Sequence, residues 1–354
     1  MKTSIVTTTI HKPVLLKDYC QNARDFGHKD VNFIVIGDKK TPSEVALFCR
    51  ELQKTYGYEV FYYGIQEQLE LLKDFPALLE YLPFNSIQRR NIGLLQAYRL
   101  GSEVIITIDD DNFLIEGQDF IGSHSIIMEE KEFDCISSSS GWFNVCEMLK
   151  DENDLPFYHR GFPLGKRWLQ SQIRREKRRG KIVVNAGLWL DDPDIDALTR
   201  INLPIKAKQM SQEYGKGIAL GSDTWSPFNS QNTALRREVI PAYFLSPVIG
   251  RYDDIWASYI VKRIANQLGH YIHFGLPLVR QQRNPHNLWK DFDQERLGME
   301  TTDMFVETLN NLKLTGKNYQ ECFAEIWEGL RQNSFSPGNF VEGLEVWSDT
   351  FKKL

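Results

Sequence analysis

Val104-Ile105-Ile106-Thr107-Ile108-Asp109-Asp110-Asp111-Asn112-Phe113 is a charge-free, β-branched run that ends abruptly in three carboxylates. Val, Ile and Thr suit a pleated, buried surface, so its first half predicts a short buried strand. The aspartates then stand at the strand's carboxyl end, where open α/β sheets take their ligands. Three ionised side chains on one loop repel one another and attract a hard cation, Mn2+ or Mg2+. Side chains alternate along extended chain, so Asp109 and Asp111 share a side as metal ligands while Asp110 points away. An ion held by two aspartates completes its shell with substrate phosphates. The expectation is a metal–diphosphate site; an ordinary acidic surface turn is the alternative.

Upstream, strands at Ser4–Thr9, Val31–Ile36 and Val60–Tyr63 alternate with helices. Thr41-Pro42-Ser43-Glu44 predicts a capped helix start, with Thr41 as N-cap and the helix running to about Tyr56. A second helix, capped by Asn85 or Ser86, runs through Leu100. Strands separated by helices imply a mainly parallel sheet with helices on both faces, an α/β class. A nucleotide in such a sheet lies at the carboxyl ends of the early strands. Thr8, Thr9, Gly37 and Asp38 are therefore candidate contacts, with plain turn chemistry as the alternative. Arg90 and Asn91 belong to a helix that meets the acidic tip, where an arginine neutralises diphosphate, and Gly93 lets that helix approach the sheet.

Beyond the tip, the basic run Gly165–Lys181 reads as a solvated helix face, or as a site for an anionic acceptor. Val183–Leu190 reads as a strand, and the acidic Asp191–Asp196 as a loop that caps a helix from Asp196, or as a second metal site. Pro227–Leu235 reads as a polar strand-like stretch whose Asn229 and Gln231 need partners; sugar hydroxyls would serve. Asp253 and Asp254 open a helix, where the dipole favours them and where a general base for an acceptor hydroxyl could sit. Trp256, close by, is a candidate sugar-stacking residue. His273 alternates with apolar neighbours and reads as a core histidine. Three helices near Thr302–Lys313, Asn318–Gln332 and Asn339–Lys353 close the chain. The expected division is a catalytic domain over 1–295 and a helical extension over 296–354 packed on it.

Bulk properties exclude some classes. A net charge of −5 and a pI near 5.9 argue against nucleic-acid binding. No apolar run has the length of a membrane span, and the amino terminus lacks a signal-peptide stretch. Five scattered cysteines without CxxC spacing fit reduced thiols in a cytoplasmic protein.

Taken together the chain resembles the reversibly glycosylated polypeptide family, which includes the plant UDP-arabinopyranose mutases. The likeness rests on Ile108-Asp109-Asp110-Asp111, on Arg160-Gly161-Phe162-Pro163 with Arg167, and on Gly187-Leu188-Trp189-Leu190 before Pro193–Ala197. Gly250–Ala257, Gly275-Leu276-Pro277 and the tail around Val346-Trp347 extend it. The resemblance implies a GT-A type, Rossmann-like nucleotide-diphosphosugar fold and a DXD motif at Asp109–Asp111. It also implies that Arg160 and Arg167 are the family's arginine pair, which matters for mutase activity and includes a self-glycosylation site. Two departures stand out. The segment between Arg167 and Gly187 is longer and more basic than in the family. Arg280 and Gln281 stand where the family has a histidine after Gly-Leu-Pro, which leaves His286 as the candidate third metal ligand. The partner expected is a nucleotide-diphosphate sugar, a UDP-sugar in particular, with an acceptor of unidentified chemistry and a homo-oligomer left open. The leading expectation is a metal-dependent glycosyltransferase; a UDP-sugar mutase and an inactive nucleotide-sugar-binding subunit are the alternatives.

Overall fold

The computed structural model describes residues 1–284, 286–333 and 337–354. Strands β1 (Thr3–Thr8), β2 (Val31–Ile36), β3 (Glu59–Tyr63) and β4 (Val104–Thr107) form an all-parallel block in the order β3-β2-β1-β4. Among the described residues nine more strands follow: β5 (Asn112–Leu114), β6 (Glu132–Ser138), β7 (Leu149–Asp151), β8 (Ile173–Arg179), β9 (Ile182–Asp191), β10 (Ala207–Met210), β11 (Ile218–Leu220), β12 (Thr233–Arg236) and β13 (Tyr271–Gln281). From β4 the main path continues through β12, β9, β13, β11, β6 and β8, and the sheet becomes mixed. The expected α/β class is present.

Two pairings build the functional end of this sheet. β12 runs antiparallel to β4, with Thr233 opposite Thr107, so the residues before β12 lie beside the residues after β4. β13 runs parallel to β9, with Gln281 opposite Asp191, so the loops that follow both strands leave at the same end. The helix Arg90–Arg99 packs on β1 and β2. Gly93 permits this: a Cβ there would come 2.5 Å from Val6 Cγ1.

Some local expectations change. The early helix begins at Val45, not Thr41. Thr41 Oγ1 instead donates to Thr9 O and accepts from Asp38 N, both at 2.7 Å, and so ties two loops together. The basic run is no helix face; its core is β8, an edge strand paired antiparallel with β6 over seven residues. Its cations find Asp134 across the pairing and Glu176 within the strand. In the polar stretch only Thr233 onward is strand; the preceding residues form the loop that reaches the acidic tip.

The helix expected from Thr302 begins at Leu288 and runs 24 residues to Asn311, across the expected boundary at 295/296. Trp256 stacks on Phe305 at 4.0 Å and meets Phe340 edge-on, while Trp347 stacks on Phe244. The C-terminal helices thus share one hydrophobic core with the sheet domain. His273 is buried, as expected: its Nδ1 pairs with Asn185 Oδ1 at 2.7 Å, and Asn185 Nδ2 reaches His124 Nδ1. Burial pushes both imidazoles down to about 4, so this network is neutral. Among the described residues no helix is long and apolar enough to cross a membrane.

Candidate active site

A cleft of about 560 Å³ opens at the carboxyl ends of β4, β9 and β13. Asp109 and Asp111 line it, together with Arg90, Gln231, Arg160, Asp253 and Asp254. A smaller hollow of about 230 Å³ adjoins it and shares Asn85, Ser86 and Ile87. Thr8, Thr9, Gly37, Asp38 and Asp110 line the hollow. The alternation of the triplet therefore divides it between two chambers. Asp110 accepts a hydrogen bond from Thr9 Oγ1 at 2.7 Å, and Asp38 Oδ2 accepts one from Ser86 N at 3.0 Å.

Arg90 organises the tip. Its guanidinium pairs with Asp109 Oδ1 and donates to Ser230 Oγ at 2.6 Å and Ser230 O at 3.0 Å. Gln231 Nε2 takes the other Asp109 oxygen. Asp111 is answered more weakly, by Asn112 Nδ2 at 3.4 Å and by Gln281. Burial, then the neighbouring Asp109 and Asp110, push the Asp111 carboxyl up to about 7. A group in that state gains by exchanging its proton for a metal ion.

A second buried cluster starts at Arg160. Its Nε and Nη2 meet Asp194 Oδ1 and Oδ2 at 2.9 Å each, and its Nη1 and Nη2 lie 3.1 Å from Asp254 Oδ1. Asp254 Oδ2 accepts from Ser230 N and Ser230 Oγ, at 2.9 and 3.1 Å. Ser230 is also the partner of Arg90, so the two clusters are one network. Asp253, next in the chain to Asp254, accepts only from Gln88 Nε2 at 2.8 Å among the described side chains. Burial, then the adjacent Asp254, push Asp253 up to about 7. Two neighbouring carboxylates with different surroundings are the usual basis of acid–base division.

Most of the remaining candidates lie elsewhere. Arg167 pairs with Asp196 and sits over the Tyr158 ring, outside the cleft lining. Asn229 stands behind the wall and donates to Asp194 Oδ2 at 2.7 Å. Asn91 brackets Leu245, donating to its O and accepting from its N, because its position on the helix faces the core. Trp256 is fully buried and donates to Thr302 Oγ1 at 3.0 Å; packing against the C-terminal helices places it in the core and outside the cleft lining. Asp196 caps the helix Ala197–Asn202, accepting from Thr199 N at 2.8 Å. His286 lines the cleft, but its Nδ1 faces Asp291 Oδ2 at 3.1 Å.

The structure adds residues that were not singled out from the sequence. Asp194 and Ser230 carry the buried network; Arg251 and Arg283 add cations to the cleft, where Arg251 pairs with Glu295 and Arg283 approaches Asp291. The signal for Asp194 was present: an apolar strand ending in an acidic loop, the same pattern as the triplet after β4.

The donor set fits a hard divalent cation. Besides the Asp109 and Asp111 carboxylates, Gln231 Oε1 and Gln281 Oε1 are buried, line the same cleft and lack a hydrogen-bond partner. Among the described residues no three His, Cys, Asp or Glu side chains gather as a metal cage.

The profile of the family described as "Reversibly glycosylated polypeptide" matches residues 2–340. UDP-arabinopyranose mutase 1 of Arabidopsis thaliana is 27% identical over 264 residues, 71% of this chain and 69% of its own. Probable UDP-arabinopyranose mutase 1 of Pisum sativum is 30% identical over 239 residues, 64% of this chain and 60% of its own. A mannosyltransferase of Pyrobaculum calidifontis, solved with GDP-Man and Mn2+, aligns over 98% of this chain and 86% of its own. Its TM-score is 0.40 and its identity 8%, a likeness too shallow to carry an argument.

Proposed function

The chain belongs to the reversibly glycosylated polypeptide family, and from that premise we propose that it is a UDP-sugar mutase, interconverting pyranose and furanose forms of a nucleotide-bound sugar. The observation that carries the reading is that one cleft holds both a diphosphate grip, Asp109, Asp111 and Arg90, and a proton-carrying carboxyl, Asp253. The order β3-β2-β1-β4 and the position of the acidic tip support a GT-A type arrangement. The hollow beside Thr8, Thr9 and Asp38 has room for the nucleoside, and the larger cleft for the diphosphate and sugar.

Asp109 and Asp111 would hold Mn2+ or Mg2+ on the diphosphate, and such an ion supplies Lewis-acid charge at the leaving oxygens. Arg90 stabilises the same developing charge from the protein side, fixed in place by Ser230. When the C1–oxygen bond to the diphosphate breaks, the electron pair leaves with the UDP. A ring-chain hydroxyl closes on C1 and gives up its proton, and the old ring oxygen leaves C1 and takes one. The UDP oxygen then bonds to C1 again. One group that both accepts and returns a proton suffices, and Asp253, at about 7, is poised for it. Arg160 and Asp194 hold Asp254, and through it Ser230, as positioning residues. The five buried, unpaired thiols support a reducing, cytoplasmic setting.

The test is product analysis by NMR after incubation with a UDP-sugar and Mn2+ alone. A new UDP-sugar isomer is expected. No isomer in that reaction, with free UDP and glycosylated product once an acceptor is supplied, would instead make the protein a transferase, and binding without turnover a nucleotide-sugar-binding subunit.

A further inference from the structure

The sheet ends at β8, and that end is unusual in three independent ways. First, five of the seven residues of β8 are Arg or Lys, in a chain whose net charge is −5. Among the described residues β8 has a strand neighbour on one side only, so its outer backbone edge is open. Second, the segment leading into β8 exposes large apolar side chains: Trp168 is 69% exposed, Leu169 50% and Ile173 45%. Third, Trp168 has φ +64, a left-handed conformation that costs a bulky residue energy. Its indole stands edge-on to Tyr158 at 5.3 Å, with Tyr158 Oη accepting from Trp168 N.

Charges commonly blunt an open edge against pairing with copies of itself. A row of cations does so here, since two such strands would repel. It does not repel an acidic strand. Exposed tryptophan beside arginine is also the composition that dominates binding energy at protein interfaces. We propose that the β8 edge, with Trp168, is a docking site for an extended, acidic segment of a partner protein. The segment adds a strand to the sheet, sets carboxylates against the basic row and rests an apolar side chain on Trp168. Partial neutralisation within the patch leaves room for this. Asp134 is shared by Arg175 and Lys177, Glu176 pairs with Arg178, and among the described residues Arg179 has no ion pair.

The probe is a fluorescent ten-residue peptide of alternating glutamate and valine, titrated against the full chain by anisotropy at low salt. Controls are a lysine–valine peptide, a glutamate–proline peptide, oligouridylate and phosphatidylserine vesicles. The expected result is saturable binding of the glutamate–valine peptide alone, weakened by salt because the contacts are ionic and exposed. Proline cannot donate to a ladder, so its peptide should bind at least about 10-fold more weakly. Trp168→Ala, and separately the pair Arg174→Glu and Arg178→Glu, should each cost about 10-fold or more, on the scale of one hot-spot residue. Hydrogen exchange of the β8 amides should slow with peptide, and unchanged melting of each variant shows that the fold survives. Equal binding by wild type and variants would overturn the proposal. So would equal binding of the proline peptide, or binding of oligouridylate or vesicles in place of the peptide, which would assign the face to nucleic acid or membrane.

Discussion

Arg160 and Asp194 face each other edge to edge, with Nε to Oδ1 and Nη2 to Oδ2 both at 2.9 Å and both side chains buried. Burial alone would push the Asp194 carboxyl up, but the guanidinium overrides it and holds the group far below the usual carboxylate range. The pair joins the loop after β9 to the helix that starts at Asp253, because Arg160 also reaches Asp254. Removing one partner would strand the other charges in the interior. Arg160→Ala should therefore cost roughly 3–5 kcal/mol in urea unfolding. Arg160→Lys keeps the charge but loses the fork, and should fall between the two. Wild-type stability in Arg160→Ala would show that the pair is not a structural tie.

Asp111 makes metal binding depend on pH. Its carboxyl, held at about 7, must lose a proton before an ion binds. Mn2+ affinity in the presence of UDP, measured by calorimetry, should rise between about pH 6 and 8 with release of protons. Asp111→Asn should abolish the rise and most of the Mn2+-dependent gain in melting temperature. A pH-independent affinity in the wild type would count against the site.

Asp253 links chemistry to stability with a definite sign. Its folded value of about 7 lies above the unfolded value of about 4. The stability it contributes is fully present below about pH 4 and is lost as pH rises through about 7. Asp253→Asn removes the charge that burial disfavours. It should melt several degrees higher than wild type at pH 8, while the two converge below about pH 4. Turnover should drop about 10²–10⁴-fold, the range of a lost acid–base group, with UDP binding retained. Loss of binding together with turnover would make Asp253 a ligand contact instead.

Gly93 tests the seat of the Arg90 helix. Alanine favours helix by about 1 kcal/mol over glycine. Here its Cβ would meet Val6 Cγ1 at 2.5 Å, a clash in a fully packed core. Overpacking of that kind costs roughly 1–3 kcal/mol. Gly93→Ala should thus lower the melting temperature and displace Arg90 from Asp109, which a weaker response to UDP with Mn2+ would register. A stabilised variant would mean that the helix stands further from β1 than the structure places it.

The basic run shows where reading from sequence reached its limit. Residues 173–179 carry little apolar periodicity, so nothing local separates a solvated helix from a solvated edge strand. The pairing with β6, and Asp134 opposite the cations, decides for the strand. Trp256 is a similar case. Its place near Asp253 suggested the sugar pocket, but it packs on Phe305, nearly fifty positions later in the chain.

By itself the sequence determined the parallel first block, the buried strand that ends in Asp109–Asp111, the sorting of Asp110 to the other side, the cap at Asp196 and a cap at Asn85 or Ser86. These follow from residue type, alternation and short spacing, which act within a few residues. Only the tertiary structure decided that Ser230 bridges Arg90 to Asp254, that Asp194 rather than solvent answers Arg160, and that burial beside Asp254 raises the Asp253 carboxyl. Those are properties of burial and of charges brought together across 24 to 140 positions of chain, and they exist only once β12 has paired with β4 and β13 with β9.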